Sequence, residues 1–317
     1  MNGDTDSGQQ RWQRELIEKL ALQSATEQRR ARRWSLFFKG LLFVYLFALL
    51  YLYWPRDAIE TATGRHTALV ELNGIIAPDE DANADDVAAG LRKAFENQHS
   101  AAVILRINSP GGSPVQAARI NAEMRRLRAK YPDKPLYAVV SDICASGGYY
   151  VAVGADRIYA DPGSIVGSIG VRMDSFGFVG ALEKLGIERR LLTAGEHKGF
   201  LDPFLPARES DVRHVQKLLD DIHRQFIDTV REGRGERLKD DPAIFSGLVW
   251  TGRQARELGL IDDFGSAGYV AREVVGAEDI VDYTRQEEFW EKFSKRFGTA
   301  LGRGIGQVLA LTPFSLR

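Results

Sequence analysis

The chain has 317 residues, of which 44% are hydrophobic and 27% charged, values that exclude a disordered polymer and allow one large domain or two small ones. Lys and Arg number 42 against 43 Asp and Glu, a formal net charge of -1, so no global basic field exists to gather nucleic acid and no such partner is expected. A single cysteine, Cys144, excludes an intramolecular disulfide, and no Cys or His pair has the spacing of a structural zinc site; neither a metal nor an organic cofactor is implied.

Residues 1–35 form a charged leader in which Gln9 to Arg33 carries Trp12, Leu16, Ile17, Leu20 and Leu22 without Gly or Pro, the pattern of an amphipathic helix at a membrane surface. Residues 36–54, from Leu36 to Trp54, are almost unbroken in apolar character. At about 1.5 Å per residue this stretch of roughly 19 residues approaches the ~30 Å of a bilayer core and predicts one transmembrane helix. Trp34 at one end and Tyr51, Tyr53 and Trp54 at the other suit the two interfaces, and Pro55 stops the helix. Arg29, Arg30, Arg32, Arg33 and Lys39 crowd the N-terminal side, which places the N-terminus in the cytoplasm and the bulk of the chain outside it. The length of the apolar run and the lack of a small-x-small site after it favour an uncleaved anchor over a signal peptide.

After a polar linker, residues 55–65, a globular segment is expected over residues 66–284. Strands are predicted at Ala68 to Ile76, Ala101 to Ile107, Leu136 to Val140, Arg157 to Tyr159 and Glu188 to Leu192. Helices are predicted at Asp85 to Asn97, Pro114 to Lys130, Ser146 to Gly154, Ser175 to Leu185, Ser210 to Arg231 and Gln254 to Leu258. The alternation defines an α/β fold with a largely parallel sheet flanked by helices, whose sites lie at the strand carboxyl ends. Val215, Leu218, Leu219, Ile222 and Phe226 share one face of the longest helix and read as packing. Residues 285–317, with Phe289, Trp290, Phe293 and Phe297 among basic residues, form a C-terminal amphipathic segment for the membrane, a neighbouring subunit or the domain itself.

Two glycine-rich turns follow apolar strands, Asn108-Ser109-Pro110-Gly111-Gly112 and Ala145-Ser146-Gly147-Gly148-Tyr149, and both should open on the same sheet edge. Adjacent glycines let amide N–H groups face a ligand, and Ser146 would stand at a helix N-terminus that favours developing negative charge. Such turns also serve as tight connections or phosphate sites. A serine nucleophile needs a base. His66, His99, His214 and His223 sit at strand edges or on polar helical stretches and read as solvated, whereas His197 adjoins Lys198 in a turn. A lysine buried beside a hydroxyl can lose its proton by desolvation and replace histidine. Spacing alone favours the reading of Lys198 as one more surface lysine. Cys144, two residues before Ser146, reads as a small buried side chain rather than a nucleophile.

These motifs, with Gly167-Ser168-Ile169-Gly170-Val171, Lys198 before Asp202-Pro203-Phe204, and Thr251-Gly252, Ala255 and Gly259-Leu260-Ile261-Asp262, resemble in order those of the signal peptide peptidase A family, from about His66 to about Gly276. The resemblance implies a Clp protease and crotonase-like fold in which residues 66–284 are the protease domain. Ser146 is then the nucleophile and Lys198 the general base, with Ser168 orienting the lysine amine. Amides of Gly111 or Gly112 and of Gly147 are implied as oxyanion donors. It further implies hydrophobic peptide substrates such as signal peptide remnants, contact with membrane lipid, a bacterial inner-membrane location, and a ring-like homo-oligomer of about eight subunits. The lysine comes from the same or a neighbouring subunit. His197 stands where the family often carries tyrosine. Two rivals are a crotonase-type acyl-CoA enzyme, against which the extracytoplasmic placement argues, and an inactive membrane scaffold, against which the presence of both Ser146 and Lys198 argues.

Overall fold

The structure is a computed structural model that describes residue 30, residues 32–49 and residues 64–285. The chain divides into two compact units; the described part of the first is residue 30 and residues 32–49, and that of the second is residues 64–285. Residues 32–49 are helical. Among the described residues no helix is long and apolar enough to cross a membrane. The rest of the expected span, residues 50–54, lies outside them, as do nearly all of the leader, most of the linker and the C-terminal segment.

The second unit is built on an eight-stranded sheet. Its strands are β1 (His66–Asn73), β2 (Ser100–Ser109), β3 (Leu136–Ala145), β4 (Arg157–Ala160), β5 (Ile165–Gly167), β6 (Val249–Thr251), β7 (Asp263–Phe264) and β8 (Ile280–Asp282). The order is β6-β5-β3-β2-β1-β8, with β4 pairing β3 and β7. Every pairing is parallel except β5 with β6. One edge of β3 is shared, since Tyr137 to Val139 pair with β4 and Ile143 to Ala145 with β5.

The three long strands are near-continuous apolar runs because both faces are covered, as parallel strands require. On one face Val70, Leu72, Leu105, Ile107 and Val140 meet the helices α1 (Ala84–Glu96), α2 (Pro114–Lys130) and α3 (Gly147–Ala152). On the other, Leu69, Ile104, Val139 and Tyr159 meet Ala267, Val270 and Ala271. Asn83 caps α1 by accepting from the Asp86 amide at 2.9 Å, and Ser113 caps α2 ahead of Pro114, whose missing N–H costs nothing at a helix start.

The strands β1 to β4 and helices α1 to α3 fall within a few residues of the sequence expectation. The strand expected at Glu188 to Leu192 does not form: Arg189 pairs with Asp202, Arg190 with Glu188, and Leu192 is 97% exposed with no sheet edge beside it. The helix expected from Ser175 begins only at Val179, as α4 (Val179–Leu185), and none of its residues is buried. Among the described residues the longest helix is α5 (Glu209–Arg234); of its expected apolar face Phe226 is buried, Val215, Leu219 and Ile222 are half-buried, and Leu218 is 48% exposed. The last helix of the expected set is α6 (Gly252–Glu257), started by a Thr251–Gln254 capping box. His66 is corrected too. It is 1% exposed, with Nε2 2.9 Å from the Tyr283 hydroxyl and Nδ1 3.0 Å from the Gly64 carbonyl.

Candidate active site

Parallel pairing of β2 and β3, which sets Ser109 opposite Cys144, brings the two glycine-rich turns together at the strand carboxyl ends. The first turn is held by Ile76, whose amide donates to the Gly111 carbonyl at 2.9 Å and whose carbonyl accepts from the Ser113 amide at 2.7 Å. In this parallel bridge the N–H of Gly112 takes no part and is directed away from Ile76. A side chain at Gly112 would place Cβ 2.2 Å from the Ile76 carbonyl oxygen, so only glycine fits. Gly111, at φ 102°, lies so close to the second turn that a Cβ would sit 2.7 Å from the Gly147 amide and 2.8 Å from Ser146 Cβ. Its own N–H is engaged, donating to the buried Ser109 hydroxyl at 3.1 Å.

Ser146 has φ 52° and ψ -121°, a sparsely populated conformation for a residue with a side chain. Surrounding bonds impose it: the Ser146 amide donates to the Gly167 carbonyl at 2.8 Å and its carbonyl accepts from the Tyr150 amide at 3.0 Å. The side chain makes no capping bond, and the residue is only half-buried. Gly147 follows as the first residue of α3, where an N–H has no intrahelical acceptor. The Cβ position of Gly147 lies 3.2 Å from the Gly112 nitrogen, so the two amides are neighbours. The position of α3 is fixed by Tyr149, fully buried, whose hydroxyl donates to the Leu260 carbonyl at 2.7 Å.

Ser168 adopts φ 53°, and its amide donates to the Leu248 carbonyl at 2.7 Å. Gly111, Gly112, Ser146, Gly147 and Ser168 all line one open cleft of about 1410 Å³. One wall is α2, with Val115, Ala118 and Ala122; the opposite wall is α5, with Ile222, His223 and Phe226. Sequence reasoning missed His223, whose Nε2 lies 3.1 Å from the Ile169 carbonyl. The signal was available, since His223 stands one helical turn before the buried Phe226 and therefore on the same face. Cys144 is fully buried and unpaired, and burial raises its thiol pKa, so it remains an inert thiol behind the turn. Among the described residues no cluster of three His, Cys, Asp or Glu side chains could hold a metal.

Lys198 is not brought to this cleft by its own chain. It lies in an exposed turn over residues 194–200, with its amide donating to the Gly195 carbonyl at 3.1 Å, and it does not line the cavity. The neighbouring His197 places Nδ1 2.9 Å from an Asp211 carboxylate oxygen. Thus the two serines and the glycines converge, and the lysine stands apart from them.

The fold and cleft define a class of α/β protein with a serine on a strained strand-to-helix turn beside free glycine amides. Within that class the chain belongs to peptidase family S49, the family of signal peptide peptidase A. The family pattern matches residues 128–279, a span holding Ser146, Ser168 and Lys198 but not Gly111 or Gly112. The chain is 32% identical over 213 residues to a Methanocaldococcus jannaschii protein provisionally named a protease, covering 65% of this chain and 68% of that one. It is 30% identical over 236 residues to Protease 4 of Haemophilus influenzae, covering 73% of this chain and 37% of the relative. A protein of Brucella melitensis named Na(+)/H(+) antiporter NhaA is 48% identical over 186 residues. That match takes in 59% of this chain and spans only 25% of the antiporter-named protein.

Proposed function

We propose that the chain is a membrane-anchored serine endopeptidase in which the Ser146 hydroxyl attacks a peptide carbonyl and Lys198 of a neighbouring copy accepts its proton. The observation that carries this reading is the setting of Ser146. It stands in a strained, half-buried turn on the cleft floor beside the Gly112 and Gly147 amides. Those two N–H groups are suited to a tetrahedral oxyanion, and Gly111 is not, because its amide is already bonded to Ser109. In the first step Ser146 Oγ bonds to the carbonyl carbon and the proton passes to Lys198 Nζ, which returns it to the departing amine. In the second, water attacks the acyl-enzyme with the same amine as base. Ser168, on the same cleft, would orient that amine. The Clp protease and crotonase-like architecture implied by the sequence motifs is compatible with the sheet order and with turns meeting at strand carboxyl ends.

Supply of the lysine by a second copy follows from its exposure and from the surface around it. Residues 171–210 contain no fully buried residue, yet Phe176, Leu185 and Leu192 are 77%, 71% and 97% exposed. An apolar arm of this kind seeks a partner surface, and a ring of copies gives it one while carrying Lys198 to the next Ser146. Val115, Tyr150, Ile222 and Phe226 line the cleft and favour hydrophobic peptide segments, signal peptide remnants among them. Leu36 to Trp54 would anchor the unit in the bacterial inner membrane with the peptidase domain outside the cytoplasm.

The test is mass spectrometry after a fluorophosphonate, combined with mixing of two inactive variants. A single adduct on Ser146, absent in Lys198→Ala, is expected. Co-assembly of Ser146→Ala with Lys198→Ala should restore part of the cleavage, because some interfaces then pair an intact serine with an intact lysine. Adduct without restoration would return the lysine to the same chain. An intact oligomer with no adduct would leave a scaffold rather than a peptidase.

A further inference from the structure

The turn that carries Lys198 is exposed, short and far from the sheet core, yet a general base must be held to within a fraction of an ångström of its working position. What fixes it is the first turn of α5. Asp211, 5% exposed, turns its carboxylate to His197 Nδ1 at 2.9 Å. A carboxylate oxygen accepts, so in this contact the imidazole is the donor through Nδ1–H. Ser210 Oγ donates to the same Asp211 oxygen at 3.3 Å, a second donor to a carboxylate that solvent hardly reaches.

His197 is also a backbone hub. The Lys198 amide closes one turn on the Gly195 carbonyl at 3.1 Å, and the Phe200 amide closes the next on the His197 carbonyl at 3.0 Å. Lys198 sits where the two turns overlap. The flanks are tied to α5 as well, by Arg208, which donates to the Glu196 carbonyl at 3.2 Å, and by His214, whose ring meets Phe200 edge-on at 6.5 Å. Contacts from residues 208, 211 and 214 thus hold residues 196, 197 and 200, and the Asp211 bond is the one with a buried partner.

We propose that Asp211 and His197 are a positioning pair for the general base: their bond fixes the double turn and so sets where the Lys198 amine is presented. This rests on the reading of Lys198 as base, and it assigns neither residue any contact with substrate. The ring itself is not required, only a donor at its Nδ1 position, which an asparagine amide nitrogen closely reproduces.

The experiment is steady-state cleavage of a hydrophobic fluorogenic peptide by the full chain in its native assembly, with sedimentation and thermal melting in parallel. His197→Leu is expected to lower kcat by about 10²-fold with KM within twofold, since misplacing a base by about 1 Å costs that much without touching substrate binding. His197→Asn should return kcat to within about threefold of the parent. Asp211→Ala should match His197→Leu, and the double variant should be no slower than either single one, as expected of two groups acting through one bond. A kcat unchanged in His197→Leu, an asparagine variant as slow as the leucine one, or additive losses would each overturn the pair. Lys198→Met separates the two levels. If it cleaves like the parent, the dyad itself fails; if it is inactive while His197→Leu keeps its kcat, only the positioning pair fails.

Discussion

The sheet and the arm of residues 171–210 both carry large apolar side chains, and these meet opposite fates. In β1 to β3 the apolar side chains are removed from water on both faces, with Val70, Leu72, Ile104, Leu105 and Ile107 at 0% exposure. In the arm, eight large apolar residues between Met173 and Phe204 are at least 39% exposed, and the one helix there, α4, buries none of its residues. Burial of such side chains contributes about 1.5–3 kcal/mol each, so the sheet is stabilised within the chain while the exposed side chains of the arm gain little of that within it. A seven-residue helix is itself marginal in water. One region is finished by burial within the chain, and Ser146 stands on it; the other stays open to solvent and carries Lys198.

The largest effect should come on the sheet side, at the cleft serine. Ser146→Ala is expected to reduce kcat by about 10⁵–10⁶-fold while leaving thermal melting and assembly unchanged, measured by peptide cleavage and calorimetry. Retained cleavage would remove the nucleophile from the scheme.

Next in size is a change confined to the sheet side. Arg234, 1% exposed, donates to both Asp262 oxygens at 2.8 and 3.1 Å and to the Gly259 carbonyl, while Asp262 also accepts from the Ile158 amide at 2.7 Å. Asp262→Asn leaves a buried guanidinium without its counter-charge and should cost about 3–5 kcal/mol in denaturant unfolding. A loss below about 1 kcal/mol would mean the pair is replaceable by neutral hydrogen bonds.

The same carboxylate gives the pH dependence. Burial pushes the Asp262 pKa up, but hydrogen bonds and charge from Arg234, the Ile158 amide and Arg237 outweigh it and hold the group below the usual carboxylate range. A folded-state pKa below the unfolded value, about 3.9, adds stability that is fully present above that value. It is lost as pH falls through the depressed folded one. Melting followed from pH 6 to pH 2 should therefore show an acid-side destabilisation that is absent in Asp262→Asn; identical profiles would assign the acid limb to other groups.

The smallest effect on stability, and the sharpest contrast, belongs to the arm. Leu192→Asp should leave the melting temperature of the domain within the equivalent of about 0.5 kcal/mol, because no native contact is lost. The same substitution should weaken self-association in sedimentation and lower cleavage with it. A destabilised domain with intact assembly would reverse the roles given to the two regions.

What the sequence determined by itself is local and periodic. The long apolar runs of β1 to β3, the capping residues Asn83 and Ser113 with Pro114, and the two glycine-rich turns are set by propensity and backbone geometry over a few residues. They sufficed to place Ser146, Gly111, Gly112, Gly147 and, by family pattern, Ser168 at one sheet edge. Tertiary structure decided the rest. Strands of two or three residues such as β5 to β8 carry no period and form only because a neighbouring strand offers hydrogen bonds. Glu188 to Leu192, two leucines behind Glu188, Arg189 and Arg190 with no β-branched residue, joins no strand. Between Gly111 and Gly112 the sequence could not tell which amide is engaged within the turn; the Ser109 hydroxyl takes that of Gly111. His223 reaches the cleft, His66 is buried, and Lys198 stands away from Ser146, because each depends on what long-range packing sets beside it rather than on its neighbours in the chain.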